Sequence, residues 1–209
     1  MINIMCFGDS NTFGRSPSGP RHEYQNRWPG ALQQLLGDDY SIFEEGLSGR
    51  TTVFEDPFEP CRCGLTALPY CLYTHKPLDL VIISLGANDT KAFFNASATM
   101  ISVGMERLIK EIRRFPYALD GKAPRIMLLA PIKTGEQVNK FFPSFNAESR
   151  QKVEDLPALY KKVADKLDCL YCDCSLVAVP GADNLHMDAA SHHAIAKEVA
   201  EIIRKIDFN

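Results

Sequence analysis

The sequence predicts an α/β protein, a three-layer sandwich built on a five-stranded parallel sheet. Three observations carry that reading. Short apolar runs alternate with helical patterns from one end of the 209-residue chain to the other. The most apolar run, Leu78–Leu85 (LDLVIISL), is β-branched at its centre, as suits a strand covered on both faces. Long stretches rich in Pro, Gly and charge follow strands, and in an open parallel sheet ligands bind beyond the carboxyl ends, where such loops collect.

Taken in order, Ile2–Phe7 is the first strand and stops at Gly8-Asp9-Ser10. Trp28–Leu36 places Trp28, Ala31, Leu32, Leu35 and Leu36 at helical spacing. Tyr40–Phe43 is the second strand and Leu78–Leu85 the third, central one. Met100–Ile112 is a helix with Ile101, Met105, Leu108, Ile109 and Ile112 on one side. Arg125–Ala130 is the fourth strand, closed by Pro131. Asn146–Leu167 is a long helix in which Pro157 predicts a kink or a break. Leu170–Leu176 is the fifth strand and Ala189–Ile206 the closing helix. Parallel neighbours require crossovers, expected to be right-handed. Ser16–Arg27, Phe54 to about Pro77, and Ile132–Phe145 are expected as loops that wall a pocket. With no internal repeat, low-complexity tract or linker, residues 1–209 are expected to form a single domain.

Charge and composition narrow the function. There are 23 Lys+Arg against 26 Asp+Glu, a net charge of −3, which speaks against a general nucleic-acid partner. No apolar run approaches the ~20 residues of a membrane span, so no membrane partner is expected. MINIMCFGDSNTFG lacks the basic and apolar regions of a signal peptide. The seven cysteines then read as reduced thiols in a cytoplasmic protein. Cys61-x-Cys63 with Cys71, and Cys169-x-x-Cys172-x-Cys174, raise a zinc site, but Cys-x-Cys is not a zinc-ribbon pair. Cys172 and Cys174 would share one face of a strand, and small buried hydrophobes are the better reading. No metal and no cofactor is expected.

Four polar clusters sit beside these elements. Gly8-Asp9-Ser10-Asn11 follows the first strand, where Gly8 permits a close backbone approach and Ser10 can present its hydroxyl and N–H at the sheet edge. Gly46-Leu47-Ser48-Gly49-Arg50-Thr51-Thr52 follows the second and can leave a backbone N–H free for an anion. Gly86-Ala87-Asn88-Asp89 follows the third; Asn88 can donate its side-chain N–H and Asp89 can hold the loop. Taken singly, each of these is also ordinary turn or helix-cap composition. Asp183-Asn184-Leu185-His186 precedes the last helix, where a carboxylate three residues before an imidazole can accept its Nδ1–H and leave Nε2 as a base for a serine. Of the other histidines, His192 and His193 lie in the closing helix, where a solvated role is expected, and His22 and His75 sit in loops.

Together Gly8-Asp9-Ser10, Gly49, Asn88 and Asp183-x-x-His186 resemble the four signature blocks of the SGNH (GDSL-type) hydrolases, over nearly the whole chain. FGDSNTFG, EEGLSGRTTVFEDP and LDLVIISLGANDTKAFF are most similar to its bacterial arylesterase and acyltransferase branch. The resemblance implies the flavodoxin-like SGNH hydrolase fold and a serine esterase acting on small acetyl or short-chain acyl esters through an acyl-enzyme, with transfer to an alcohol or peroxide as a further outcome. It implies Ser10 as nucleophile, His186 as general base and then acid, and Asp183 as its orienting carboxylate. The Ser10 and Gly49 N–H groups and the Asn88 side chain would form the oxyanion hole. It also implies a small-molecule ester as substrate and a homo-oligomer.

Two departures from the family pattern stand out. The last block reads Asp-Asn-Leu-His-Met where Asp-Gly-x-His-Pro is frequent; Asn184 can adopt the left-handed conformation, and Met187 only alters how the closing helix begins. Where related acyltransferases often carry an aromatic two residues past Phe13, this chain has Arg15. Candidates for the pocket rim are Arg15, Arg21, His22, Arg27, Phe54, Phe58, Phe93, Phe94, Phe141 and Phe142. Two alternatives compete: a flavodoxin-like flavin-binding protein, with Ser10-Asn11-Thr12 around a phosphate, and a catalytically inactive SGNH scaffold.

Overall fold

The fold follows from alternation along three central strands. In a computed structural model that describes residues 1–117 and 122–208, five strands form one parallel sheet: β1 (Ile2–Gly8), β2 (Tyr40–Gly46), β3 (Leu80–Ser84), β4 (Arg125–Ala130) and β5 (Leu170–Asp173). Their order across the sheet is β2-β1-β3-β4-β5. Alternate side chains of one strand enter opposite cores, as strand geometry requires. Met5, Phe7, Val81, Ile83 and Leu128 join the core on one side, and Ile4, Cys6, Leu80, Ile82 and Met127 the core on the other.

Helices cover both faces. The first core is closed by α3 (Gly64–His75), α4 (Ala98–Arg114) and α6 (Ala147–Lys166), the second by α2 (Trp28–Leu36) and α7 (Ala189–Ile203). Two four-residue helices, α1 (Ser10–Phe13) and α5 (Val138–Phe141), lie in the loops after β1 and β4. This arrangement is the predicted α/β sandwich with its five-stranded parallel sheet.

The structure corrects several local expectations. The stretch from Phe54 to about Pro77 is not loop throughout, because α3 occupies its second half. Leu68, Cys71 and Leu72 bury one side of α3, and its first N–H groups are satisfied by the loop after β2, Gly64 donating to Thr51 O at 3.1 Å and Leu65 to Thr52 O at 2.9 Å. His75 therefore ends a helix rather than sitting in a loop. Pro157 marks no break: α6 is continuous, held by the buried Val153, Leu156, Tyr160, Val163 and Ala164 on either side of it. The last strand stops at Asp173, not Leu176, because the Asp173 carboxylate accepts Ser175 N at 3.0 Å and Ser175 Oγ at 2.7 Å and turns the chain into a 3-10 segment, Cys174–Leu176. Cys172 and Cys174 still enter the same core. Cys6, Cys63 and Cys71 are also buried, Cys61 is exposed and Cys169 half-buried, and all seven cysteines are free. Among the described residues no group of three or more His, Cys, Asp or Glu is arranged to hold a metal ion.

His192 is the sharpest correction. It is fully buried rather than solvated, because its Nδ1 accepts the Trp28 N–H at 3.3 Å and so ties α7 to the start of α2. Its ring meets His22 edge-on at 5.1 Å, and burial, aided by His22, pushes its pKa down to about 3. An unfolded chain protonates this histidine near ~6.5, so between the two values the unfolded state binds the extra proton and acid favours unfolding. On lowering the pH from 7 to 5, wild type should lose about 2 kcal/mol more stability than His192→Asn, read by urea unfolding. Equal pH slopes for the two proteins would contradict the assignment.

Candidate active site

The candidate site is assembled where β1, β2 and β3 end. Asp9 caps α1 through its carboxylate, which accepts Asn11 N at 2.9 Å, and the chain turns so sharply that Ser10 opens the helix. Gly8 is required just before it: a Cβ there would lie 2.0 Å from Thr12 Oγ1 and 2.8 Å from Ser84 O. Ser10 is 6% exposed, its hydroxyl opening onto the histidine of the last block.

That last block closes on itself through Asp183. Its Oδ1 accepts Leu185 N at 3.0 Å and His186 N at 2.8 Å, while Oδ2 lies 2.6 Å from His186 Nδ1. Asn184 makes the turn in the left-handed region, with φ +64°, as an asparagine can. His186 Nε2 then stands 3.0 Å from Ser10 Oγ, across 176 positions of sequence. Asn11 fixes this approach: its Nδ2 donates to Leu185 O at 3.5 Å and its Oδ1 accepts Met187 N at 3.2 Å. Met187 thus does more than start a helix. Burial lowers the His186 pKa, and the hydrogen bond and charge of Asp183 oppose that shift.

The other two blocks meet beside Ser10. Gly49 has φ +82° in a turn closed by Arg50 N donating to Leu47 O at 3.1 Å, a backbone shape suited to glycine. Asn88 is buried and its Nδ2 donates to Arg50 O at 3.1 Å, bringing the Asn88 amide next to Gly49. Asp89 holds the two loops together, its Oδ1 accepting Thr52 N at 2.9 Å and, more closely, Thr52 Oγ1. Asp183, His186 and Ser10 thus form one hydrogen-bonded line. Asn88 and the Gly49 turn meet through Arg50 and are tied to Gly8, two residues before Ser10. His22 Nε2 faces Met187 O at 3.0 Å.

The predicted rim divides in two. Phe58, Phe93, Phe141 and Phe142 line a cleft of 330 Å³, and Phe142 packs edge-on against His186 with ring centres 5.4 Å apart. Arg15 is exposed, and its charge also lowers the His186 pKa. The others serve packing. Arg27 is buried against Glu44 at 3.2 Å, Arg21 reaches Glu44 at 3.4 Å, and Phe54 and Phe94 pack on the core. Sequence reasoning missed the Asp56–Lys91 ion pair, 3.1 Å long, at the cleft, although Asp56 lies inside a quoted motif. It also missed the buried guanidinium of Arg50, which donates to Gly8 O at 3.0 Å.

The comparisons agree with this architecture. Residues 6–194 match the family model described as the GDSL-like Lipase/Acylhydrolase family. A solved aryl esterase of M. smegmatis is 34% identical, with a TM-score of 0.94 over 99% of this chain and 100% of that one. A carbohydrate acetylesterase family member from Sinorhizobium meliloti is 36% identical, with a TM-score of 0.92 over 98% of each chain. An acetylxylan esterase of Xylanibacter ruminicola is 26% identical over 97% of this chain, which spans 42% of that relative's length. With nearly its whole length matched by the family model and by two full-length structures, the chain belongs to the GDSL-like lipase/acylhydrolase family, the SGNH ester hydrolases.

Proposed function

We propose that this chain is a serine esterase that hydrolyses small acetyl and short-chain acyl esters through an acyl-enzyme on Ser10. The observation that carries the reading is the continuous line Asp183 Oδ2–His186 Nδ1 at 2.6 Å and His186 Nε2–Ser10 Oγ at 3.0 Å. The arylesterase and acetylesterase names of its relatives support the acyl class.

The chemistry follows from the geometry. The Ser10 oxygen attacks the ester carbonyl while its proton passes to His186 Nε2, and Asp183 stabilises the imidazolium that forms. The carbonyl electron pair moves onto oxygen, facing the Ser10 and Gly49 N–H groups and the Asn88 amide. The C–O bond then breaks as His186 returns its proton to the departing alcohol. Water attacks the acyl carbon with His186 again as base, and the Ser10 oxygen leaves with its proton restored. An alcohol or a peroxide that takes the place of water receives the acyl group instead. A flavin-binding role gives the Asp183–His186–Ser10 line nothing to do, and an inactive scaffold would fail the assay below.

Wild type should turn over p-nitrophenyl acetate, and Ser10→Ala, folded by circular dichroism, should not. Full activity in Ser10→Ala would end this reading. Asn88→Ala should lose ~10²–10³ in kcat, the usual cost of one oxyanion donor. Only neutral His186 can act as base, and burial lowers its pKa, so kcat/KM should rise with pH through a midpoint below the ordinary histidine value of ~6.5. A flat profile from neutrality to well below that value would exclude His186 as the base.

A further inference from the structure

A charged side chain that the proposed chemistry does not use lies directly behind the candidate oxyanion hole. Arg50 is 5% exposed, and its guanidinium sits 4.2 Å above the centre of the Phe7 ring. The Glu45 carboxylate favours the cation only through its charge and makes no hydrogen bond to it, being engaged by His75 at 2.7 Å and by the Cys71 thiol at 3.4 Å. Instead, Arg50 Nη1 donates to two main-chain carbonyls, Gly8 O at 3.0 Å and, more closely, Glu45 O. Its Nε has no hydrogen-bond partner. Burying a cation in this way is costly and needs a compensating function or a dense set of contacts.

The main chain of the same residue meets two parts of the hole, the Gly49 turn and the Asn88 amide. Arg50 N closes the turn that sets Gly49 at φ +82°. Arg50 O accepts one of the two Asn88 amide hydrogens at 3.1 Å, which fixes the carboxamide plane and leaves the other hydrogen for an anion. Gly8 O, two residues before Ser10, also accepts Leu47 N at 3.1 Å, so the turn and β1 are joined by one backbone bond and by the guanidinium.

Resting on the reading of the site given above, we propose that Arg50 is the positioning residue of the oxyanion hole: its guanidinium locks the turn after β2 onto the end of β1, so that the Ser10, Gly49 and Asn88 donors share one focus. An arginine suits this place because one Nη nitrogen carries two N–H groups for the two carbonyls while the guanidinium face lies on an aromatic ring. A lysine offers a single point charge on a flexible stem. Arg50 touches no reacting atom, and its effect passes through the three donors. Donors held by a loosened turn keep their identity and lose their aim, which matters most when charge sits on the carbonyl oxygen.

The test compares Arg50→Lys and Arg50→Met with wild type and Ser10→Ala on p-nitrophenyl acetate, at a temperature where each is folded by circular dichroism. Arg50→Met should lose about 10²-fold in kcat, the scale of a ~1 Å misplacement, with KM within about threefold. Arg50→Lys should lose at least about tenfold, and it carries the comparison if Arg50→Met does not fold. The acid midpoint of the pH profile should stay in place, because His186 is untouched. A trifluoromethyl ketone, which forms a tetrahedral oxyanion on the serine, should bind more weakly by about the factor lost in kcat/KM. A folded Arg50 variant with kcat within about threefold of wild type, a loss confined to KM, or unchanged ketone affinity would each overturn the proposal. If Ser10→Ala is inactive and an Arg50 variant is fully active, only the role of Arg50 falls. If Ser10→Ala stays active, the reading of the whole site falls first.

Discussion

The site depends on β1 being paired on both sides in one register. Gly8 lies level with Gly46 of β2 and with Ser84 of β3, so three chain segments leave the sheet at the same height. The chain moves from β1 to β2 on one side and resumes at β3 on the other, and the crevice opens at that reversal. A slip of one residue would carry Ser10 about 3.3 Å along the sheet and turn its side chain to the opposite face. That displacement exceeds the whole length of its 3.0 Å contact with His186. The apolar alternation of β1 and β3 into two separate cores is what forbids the slip, so packing far from the chemistry sets its geometry.

His186 arrives from a part of the chain with no sheet register to guide it, and polar contacts do the guiding. Asn11 grips the loop on both sides of His186, through Leu185 O and Met187 N. On the far side, Asn184 receives Gly135 N at its carbonyl and Gln137 N at its side chain, tying the loop to the segment after β4. Phe142 covers the ring and keeps water from one side of it. The burial that holds the imidazole in place also disfavours its charged form, and Asp183 restores part of what desolvation takes away. The result is an imidazole whose neutral form is favoured and whose charged form has a carboxylate beside it.

What could be read in the sequence were features that interrupt a pattern. Ser10, Gly49, Asn88, Asp183 and His186 all stand in short polar clusters beside apolar runs, and the resemblance in their order linked them. The parallel sheet was legible for a different reason: LDLVIISL is nearly all apolar, as a strand covered on both faces must be, and shorter apolar runs alternate with helical patterns around it. Features made by distant partners were not legible. α3 was hidden because Pro69 and the cysteines obscure its Leu65, Leu68 and Leu72 spacing, and its start is completed by carbonyls of Thr51 and Thr52. His192 reads as a surface histidine until Trp28 is found against it, and Arg50 reads as turn polarity until Gly8, Glu45 and Phe7 surround it. Pro157 shows the converse, a strong local signal overruled by the buried stripe of its helix.

The buried carboxyl groups complete the electrostatics around the hole. Asp9 precedes Ser10 and Asp89 follows Asn88, so both carboxyls are buried next to residues of the proposed oxyanion hole. Burial raises the Asp9 pKa to about 7, against the hydrogen bond from Asn11 N and with the help of Asp89. It raises that of Asp89 to about 6, against the bonds from Thr52. Both groups thus hold their protons to higher pH than free carboxyls do, and the Arg50 cation favours the charged form of Asp9. The price is stability: each carboxyl is ionised in the unfolded chain from about 3.9 upward, so folding weakens as pH rises toward the folded values. His192 acts in the opposite sense over the overlapping range, since it weakens folding as pH falls. Two buried carboxyls and a buried histidine that ties two helices together therefore offset one another in the pH dependence of folding. Both arise from the same cause, titratable side chains enclosed by a sheet packed on both faces.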